Sequence, residues 1–366
     1  MRTTLFTRRP VAVLLITAVL LAACGTNTAA PAPTAAPVAP TAVPAAEVLT
    51  SVPTVAATLV PNAAPTIVVP TTPAAEPIAV VATFSIIGEF AEQVGGERVA
   101  VTTLVGPGGD AHTFEPAPAD AAKLVDAKVI LQNGLAFETW MEDLYPASGA
   151  TAPLVSVSDG ITTIAPAEEA HGAGEVPAAD EAHGEEHGES DPHVWHDVQN
   201  AVIMVENVRA ALTTADPAGA EVYAANAKAY TAELEELDAF VVRETARIAA
   251  ERRLLVTSHD TFGYFAARYG YTLVGTALGA VSTEAGDPAA GEIAALVKEI
   301  QAAKVPTIFA ENVSNPALIE TLAREAGVQI GAPLYTDALG EAGSAGATYI
   351  TMIRSNVAVL VAGLAA

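Results

Sequence analysis

From Ile78 onward, short apolar runs alternate with segments of helical periodicity, and the alternation is interrupted once, by a long helical stretch near the middle. Ile78-Ala79-Val80-Val81-Ala82-Thr83 reads as a buried strand, followed by a helix over about 86–94. Strands at 99–104 and 129–132 flank a short helix over 120–127. After the interruption the pattern resumes. Strands at 254–257, 271–275 and 307–310 and an extended run at 329–334 alternate with helices at 261–269, 289–303, 316–326 and 347–364. Strands and helices in strict alternation with short links predict parallel sheets covered on both faces, so the fold class is α/β with two similar halves.

The interruption begins with a helix capped by Asp197 that runs to about Thr213. A longer one then spans 217–252, with Pro217 in its first turn. Along it Tyr223, Ala227, Tyr230, Leu234, Leu237, Val241 and Ile248 fall mostly three or four residues apart. At 1.5 Å per residue it would reach roughly 54 Å, more than one lobe needs, and so it predicts a bridge between lobes. A coiled-coil or docking helix is the alternative for the same pattern.

The N-terminal segment has another character. Arg2, Arg8 and Arg9 precede an apolar run from Val11 to Ala23 that is too short for a comfortable membrane span and reads as a secretory signal. The run ends Leu21-Ala22-Ala23-Cys24-Gly25, which resembles the lipobox of bacterial lipoproteins and implies lipid attachment at Cys24. Cys24 is the only cysteine, so intramolecular disulfides are excluded and an exported domain must be held by its core. Residues 25–77 carry 11 of the 25 prolines and only two charges, the composition of an extended tether. The expected organisation is a signal at 1–23, a tether at 24–77, a first lobe at 78–216, a linking helix at 217–252 and a second lobe at 253–366.

The formal charge of −25 argues against nucleic acid and anionic lipid as partners and favours cations. Residues 168–191 hold nine carboxylates and three histidines, His171, His183 and His187, with no Lys or Arg. The segment passes directly into Asp191-Pro192-His193-Val194-Trp195-His196-Asp197, so five of the seven histidines fall within 26 residues. Neutral imidazole ligates borderline metals such as zinc, and clustered carboxylates raise the local cation concentration. The other two histidines lie in separate motifs, His112 in a Gly-rich loop and His259 after a strand; the fold is expected to gather these dispersed sites around one metal ion. His183-Gly184-Glu185-Glu186-His187 is not the His-Glu-x-x-His of zinc proteases, and its glycines and charge density oppose a stable helix.

On residues 83–88, 108–116, 191–195, 257–270 and 334–346, the last enclosing Gly340-Glu341, the chain resembles the metal-binding lipoproteins of zinc- and manganese-type ABC importers. The resemblance implies two α/β lobes joined by a rigid helix, with one ion buried in the cleft between them. It assigns the ligands to His112, His193, His259 and Asp337. The residues agree: His112, His259 and Asp337 each follow a predicted strand, and His193 precedes a helix. Three imidazoles and a carboxylate suit tetrahedral Zn2+. Manganese-preferring members usually have a carboxylate where His259 stands, and manganese favours oxygen donors, although Mn2+ is also a possible cargo for this set. His171, His183 and His187 in the 167–190 loop are implied as auxiliary capture sites. His196 is expected beside a ligand or at the surface, and Glu311 at a ligand's free ring nitrogen or in solvent.

The expected function is extracytoplasmic capture of zinc by a lipid-anchored monomer that delivers it to an ABC permease. Four protein ligands leave no open position for an activated water, so no enzyme activity is expected. A manganese-binding protein of the same kind, a metal-dependent hydrolase and a surface adhesin are the alternatives.

Overall fold

The computed structural model describes residues 76–166, 190–284 and 288–365. The signal, Cys24, nearly all of the tether, and His171, His183 and His187 lie outside the described residues. No helix among the described residues is long and apolar enough to cross a membrane.

The first half is built on β1 (Ile78–Phe84), β2 (Val99–Val105), β3 (Val129–Gln132) and β4 (Leu154–Ser156). They pair in parallel in the order β2-β1-β3-β4. Helix α1 (Ser85–Gly95) follows β1, α2 (Pro118–Val125) follows β2, and α3 (Met141–Ser148) lies between β3 and β4. Strand β1 is buried along Val80–Phe84, as expected of a central parallel strand covered on both faces. The two elements that the sequence pattern does not announce are β4, three residues long, and α3, which carries Pro146 inside its eight.

The second half repeats the plan. Parallel pairs form between β5 (Leu254–Thr257) and β6 (Thr272–Thr276), and between β7 (Thr307–Ile308) and β8 (Gln329–Ile330). A backbone bond from Phe309 N–H to Val256 O (3.0 Å) sets β7 beside β5. The spatial order β6-β5-β7-β8 therefore matches β2-β1-β3-β4, and the expectation of two similar α/β halves holds. Helices α6 (Gly263–Tyr269), α7 (Ala290–Ala303) and α8 (Ala317–Ala326) alternate with these strands, and α9 (Tyr349–Leu364) ends the chain.

Between the halves, α4 (Val198–Ala215) starts at Asp197, whose Oδ1 accepts the Gln199 N–H at 2.9 Å. The long helix is shorter than its periodicity predicts. Helix α5 spans Ala220–Thr245, about 39 Å, with separate 3₁₀ turns at Pro217–Gly219 and Ala250–Arg252. Its end is set by Ile248, which is fully buried. To reach the core, the chain tightens to three-residue hydrogen bonds at Arg247 and Ile248, and Arg253 Nε donates to the Ile248 carbonyl at 3.0 Å. Helix α5 still connects both halves. Asn226 donates to Val94 O near its start, and Asp238 takes Arg268 and Tyr269 near its end.

The main core runs without a break through α1, α4, α5 and α9. Burying side chains as large as Phe90, Trp195, Tyr223 and Tyr349 stabilises the fold by roughly 1.5–3 kcal/mol each. Glu89 ties α1 to α9 by accepting the backbone N–H of Tyr349 in the first turn of α9, and burial pushes its pKa up to about 7. The alternating strands thus place both sets of strand ends at one seam between the halves, where ligands of open parallel sheets bind.

Candidate metal centre

Each element delivers one side chain to that seam. Beyond β2, the loop turns at Gly108, whose φ of +70° favours glycine, and reaches His112. Asp110 Oδ1 accepts the His112 backbone N–H at 2.9 Å, while its Oδ2 accepts Thr283 Oγ1–H from the other half at 2.6 Å. His193 lies two residues after Asp191, and Asp191 Oδ1 takes both its backbone N–H (2.9 Å) and its Nδ1–H (2.8 Å). His259 ends β5. Glu311 Oε1 accepts the N–H groups of Ser258 and His259 at 2.8 and 3.0 Å, and Oε2 faces His259 Nδ1 at 2.5 Å. Asp337 follows the bridge between Glu311 and Leu334, in a segment held from both halves. Trp195 Nε1–H donates to Thr336 O at 3.0 Å, and Leu339 N–H donates to Ser85 Oγ at 2.9 Å.

These anchors turn three Nε2 atoms and one carboxylate toward a common point. One ligand-type atom from each of His112, His193, His259 and Asp337 lies within 4.8 Å of all the others. The Nε2 atoms of His112 and His193 are 3.2 Å apart, and Asp337 Oδ2 stands 2.9 Å from His259 Nε2 and 3.5 Å from His112 Nε2. Asp337 Oδ1 is 3.7 Å from His193 Nε2. A tetrahedral ion with contacts near 2.0–2.1 Å separates its ligand atoms by roughly 3.3 Å, so the set is close to the required spacing. His112 is 5% exposed and the other three are fully buried. A cavity of about 630 Å³, lined by His112, Phe137, Thr139, Pro192, Ser282 and Glu284 among others, opens beside His112.

The electrostatics divide the centre in two. Burial drives the His193 pKa well below its ordinary value, so this imidazole is neutral. Burial would also lower that of His259, but the Glu311 and Asp337 carboxylates outweigh it and hold His259 well above the usual value. Asp337 is pulled far down by His259 and His193 against the upward push of its own burial. Desolvation raises Asp191 to about 7 despite the hydrogen bond from His193.

Glu311, expected either at a ligand's free ring nitrogen or in solvent, is buried with Oε2 beside His259 Nδ1. His196 is neither at the surface nor bonded to any of the four. It is fully buried with its ring 4.6 Å from that of Phe262, and among the described residues neither ring nitrogen has a hydrogen-bond partner. Desolvation lowers its pKa to about 3, so it packs as a neutral ring. The residue that sequence reasoning missed is Asp191. Its signal was available, because His112 and His193 each stand two positions after an aspartate that accepts their backbone N–H, an Asx-type turn.

Two substitutions test these braces. Asp191→Asn and Glu311→Gln keep side-chain volume but remove the charge behind Nδ1, and each should weaken metal binding by about 10–100-fold. Chelator competition checks this; wild-type affinity in both would remove the proposed orienting role.

The family model described as zinc-uptake complex component A, periplasmic, matches residues 80–363, nearly the whole folded part. The chain belongs to this family. The manganese-binding lipoprotein MntA of Halalkalibacterium halodurans is 36% identical over 289 residues, covering 79% of this chain and 89% of that protein. The iron-binding protein YfeA of Yersinia pestis is 35% identical over 286 residues, 78% of this chain and 85% of its own length. The solved structure of the periplasmic zinc-binding protein TroA of Treponema pallidum superposes with a TM-score of 0.69 at 32% identity, covering 79% of this chain and all of that one. The family consists of metal-binding components of uptake systems, and the chain is a binding protein rather than an enzyme.

Proposed function

We propose that the protein captures Zn2+ outside the cytoplasmic membrane, through His112, His193, His259 and Asp337, and hands it to the membrane permease of an ABC importer. The convergence of three imidazole Nε2 atoms and one carboxylate in a buried cluster carries this reading. Three nitrogen donors and one oxygen suit zinc, and burial excludes water as a competing ligand. Lipid on Cys24 would hold the protein at the membrane as a monomer, with 24–77 as the tether; the lobes would be 78–216 and 253–366.

One observation favours a second cargo. Both oxygens of Asp337 face the histidine cluster, Oδ1 toward His193 and Oδ2 toward His112 and His259, so the carboxylate can chelate and raise the coordination number toward what manganese prefers. The relatives are themselves named for manganese, iron and zinc. Metal analysis of protein lacking residues 1–77, purified without chelators and equilibrated with equimolar zinc and manganese, decides between them. One zinc per chain is expected; predominant manganese would reverse the assignment.

A further inference from the structure

Three consecutive residues after β3, Gly134, Leu135 and Ala136, have φ values of +85°, +56° and +57°. L-residues avoid this region, and successive non-glycine residues there persist only where the surroundings impose it. Beside this turn lies Glu138, a buried carboxylate that forms no ion pair among the described residues. Its Oε1 accepts Thr83 Oγ1–H at 2.6 Å and Asn133 N–H at 2.7 Å, and its Oε2 accepts Gly134 N–H at 3.2 Å.

The loop so held touches His112 and His193. Phe137 sets its ring edge-on to His112 at 4.6 Å and to His193 at 5.8 Å. Asn133 Nδ2–H donates to Pro192 O, the carbonyl preceding His193, at 2.9 Å. Just beyond, Trp140 Nε1–H donates to Ala111 O, the carbonyl preceding His112, at 2.8 Å. A single segment, 133–140, therefore braces the two ligands that sit on opposite sides of it in sequence.

Resting on the reading of His112 and His193 as ligands, we propose that Glu138 is the positioning residue of the first-half pair. By clamping the left-handed loop, it fixes the spacing of His112 and His193 before an ion arrives. Glu138 does not touch the ion. Glu138→Gln sets an amide NH2 where one carboxylate oxygen accepts, so at least one of the Thr83, Asn133 and Gly134 donors loses its acceptor, the loop relaxes toward ordinary φ values, and Phe137 and Asn133 release the two histidines.

Glu138→Gln tests this, with Thr83→Val as a milder variant that removes one donor and leaves the carboxylate. Zinc affinity is measured by chelator competition, and coordination geometry by the visible spectrum of bound Co2+, which reports ligand arrangement rather than fold stability. Glu138→Gln is expected to weaken zinc by about 10–100-fold and to change the Co2+ bands, with Thr83→Val intermediate. Wild-type affinity and spectrum in both variants overturn the proposal. If Glu138→Gln does not fold, Thr83→Val decides: a few-fold loss with an altered spectrum supports the clamp, and no change overturns it. Wild type and His193→Ala are run alongside. A wild type whose Co2+ spectrum is unaffected by His193→Ala overturns the ligand assignment itself, and the clamp falls with it.

Discussion

Zinc at a thousand times its dissociation constant raises the melting temperature by on the order of 10 °C. The shift follows from linkage: a ligand that binds only the folded state at that excess adds about 4 kcal/mol, and a domain of this size gains a few degrees per kcal/mol. The folded state is strongly preferred because the four clustered residues are scattered from His112 to Asp337 and meet only when both halves are formed. Residual binding to histidines of the unfolded chain reduces the shift without abolishing it. Manganese should give a smaller shift at equal concentration, since three of the four donors are nitrogen. A melting curve that zinc does not move at pH 7.5 contradicts a buried centre.

Zinc affinity falls by about tenfold for each pH unit lost below the raised pKa of His259, a window that extends above the ordinary imidazole value near 6.5. In the free protein this ring sits between Glu311 and Asp337, which stabilise its protonated form. Ligation through Nε2 needs that proton removed, so zinc and proton compete and affinity rises with pH. His193 adds no such competition near neutrality, because burial already keeps it neutral. Asp191 steepens the dependence below about pH 7, where its carboxylate gains a proton and loses the charge that faces His193. Competition titrations from pH 8.5 to 5.5 measure the slope. Calorimetry in buffers of different ionisation enthalpy counts the proton, with about one released per zinc between about pH 7 and the raised pKa of His259, and fewer above it. An affinity independent of pH, with no proton released, would show that His259 is not a ligand.

Strand–helix alternation was enough to anticipate two similar α/β halves, because buried parallel strands are continuous apolar runs and cannot be mistaken for amphipathic surface elements. It failed where elements are too short to show a period, as in β4, or carry a helix breaker, as in α3 with Pro146. The overlong estimate for α5 has a tertiary cause. Ile248 keeps the helical spacing of apolar residues, but it reaches the core through 3₁₀-type turns capped by Arg253, a partner that local pattern does not reveal. His196 shows the same limit. Its position beside His193 in a histidine-rich stretch resembles that of a ligand neighbour, yet the turn at Val194–His196 directs the ring into the aromatic core. The four clustered residues follow from the resemblance to the metal-binding lipoproteins, and their places after predicted strands or before a helix agree with it. The braces behind them are hydrogen bonds between distant segments, such as Ser258 and His259 to Glu311, which spacing alone does not encode.

The central claim is that the tight site is the buried set and not the acidic, histidine-rich stretch. Isothermal titration of zinc at physiological salt into two variants tests it most directly. Deleting residues 168–189 removes three histidines and eight carboxylates but none of the four clustered side chains. His193→Ala leaves that stretch intact and removes one buried donor. The deletion is expected to keep one tight site per chain and to lose only weaker, salt-screened binding. His193→Ala is expected to lose at least about 100-fold in tight affinity, beyond the range seen for groups that merely orient a ligand. Tight binding that survives His193→Ala and disappears with the deletion would contradict the assignment and make the acidic stretch the receptor.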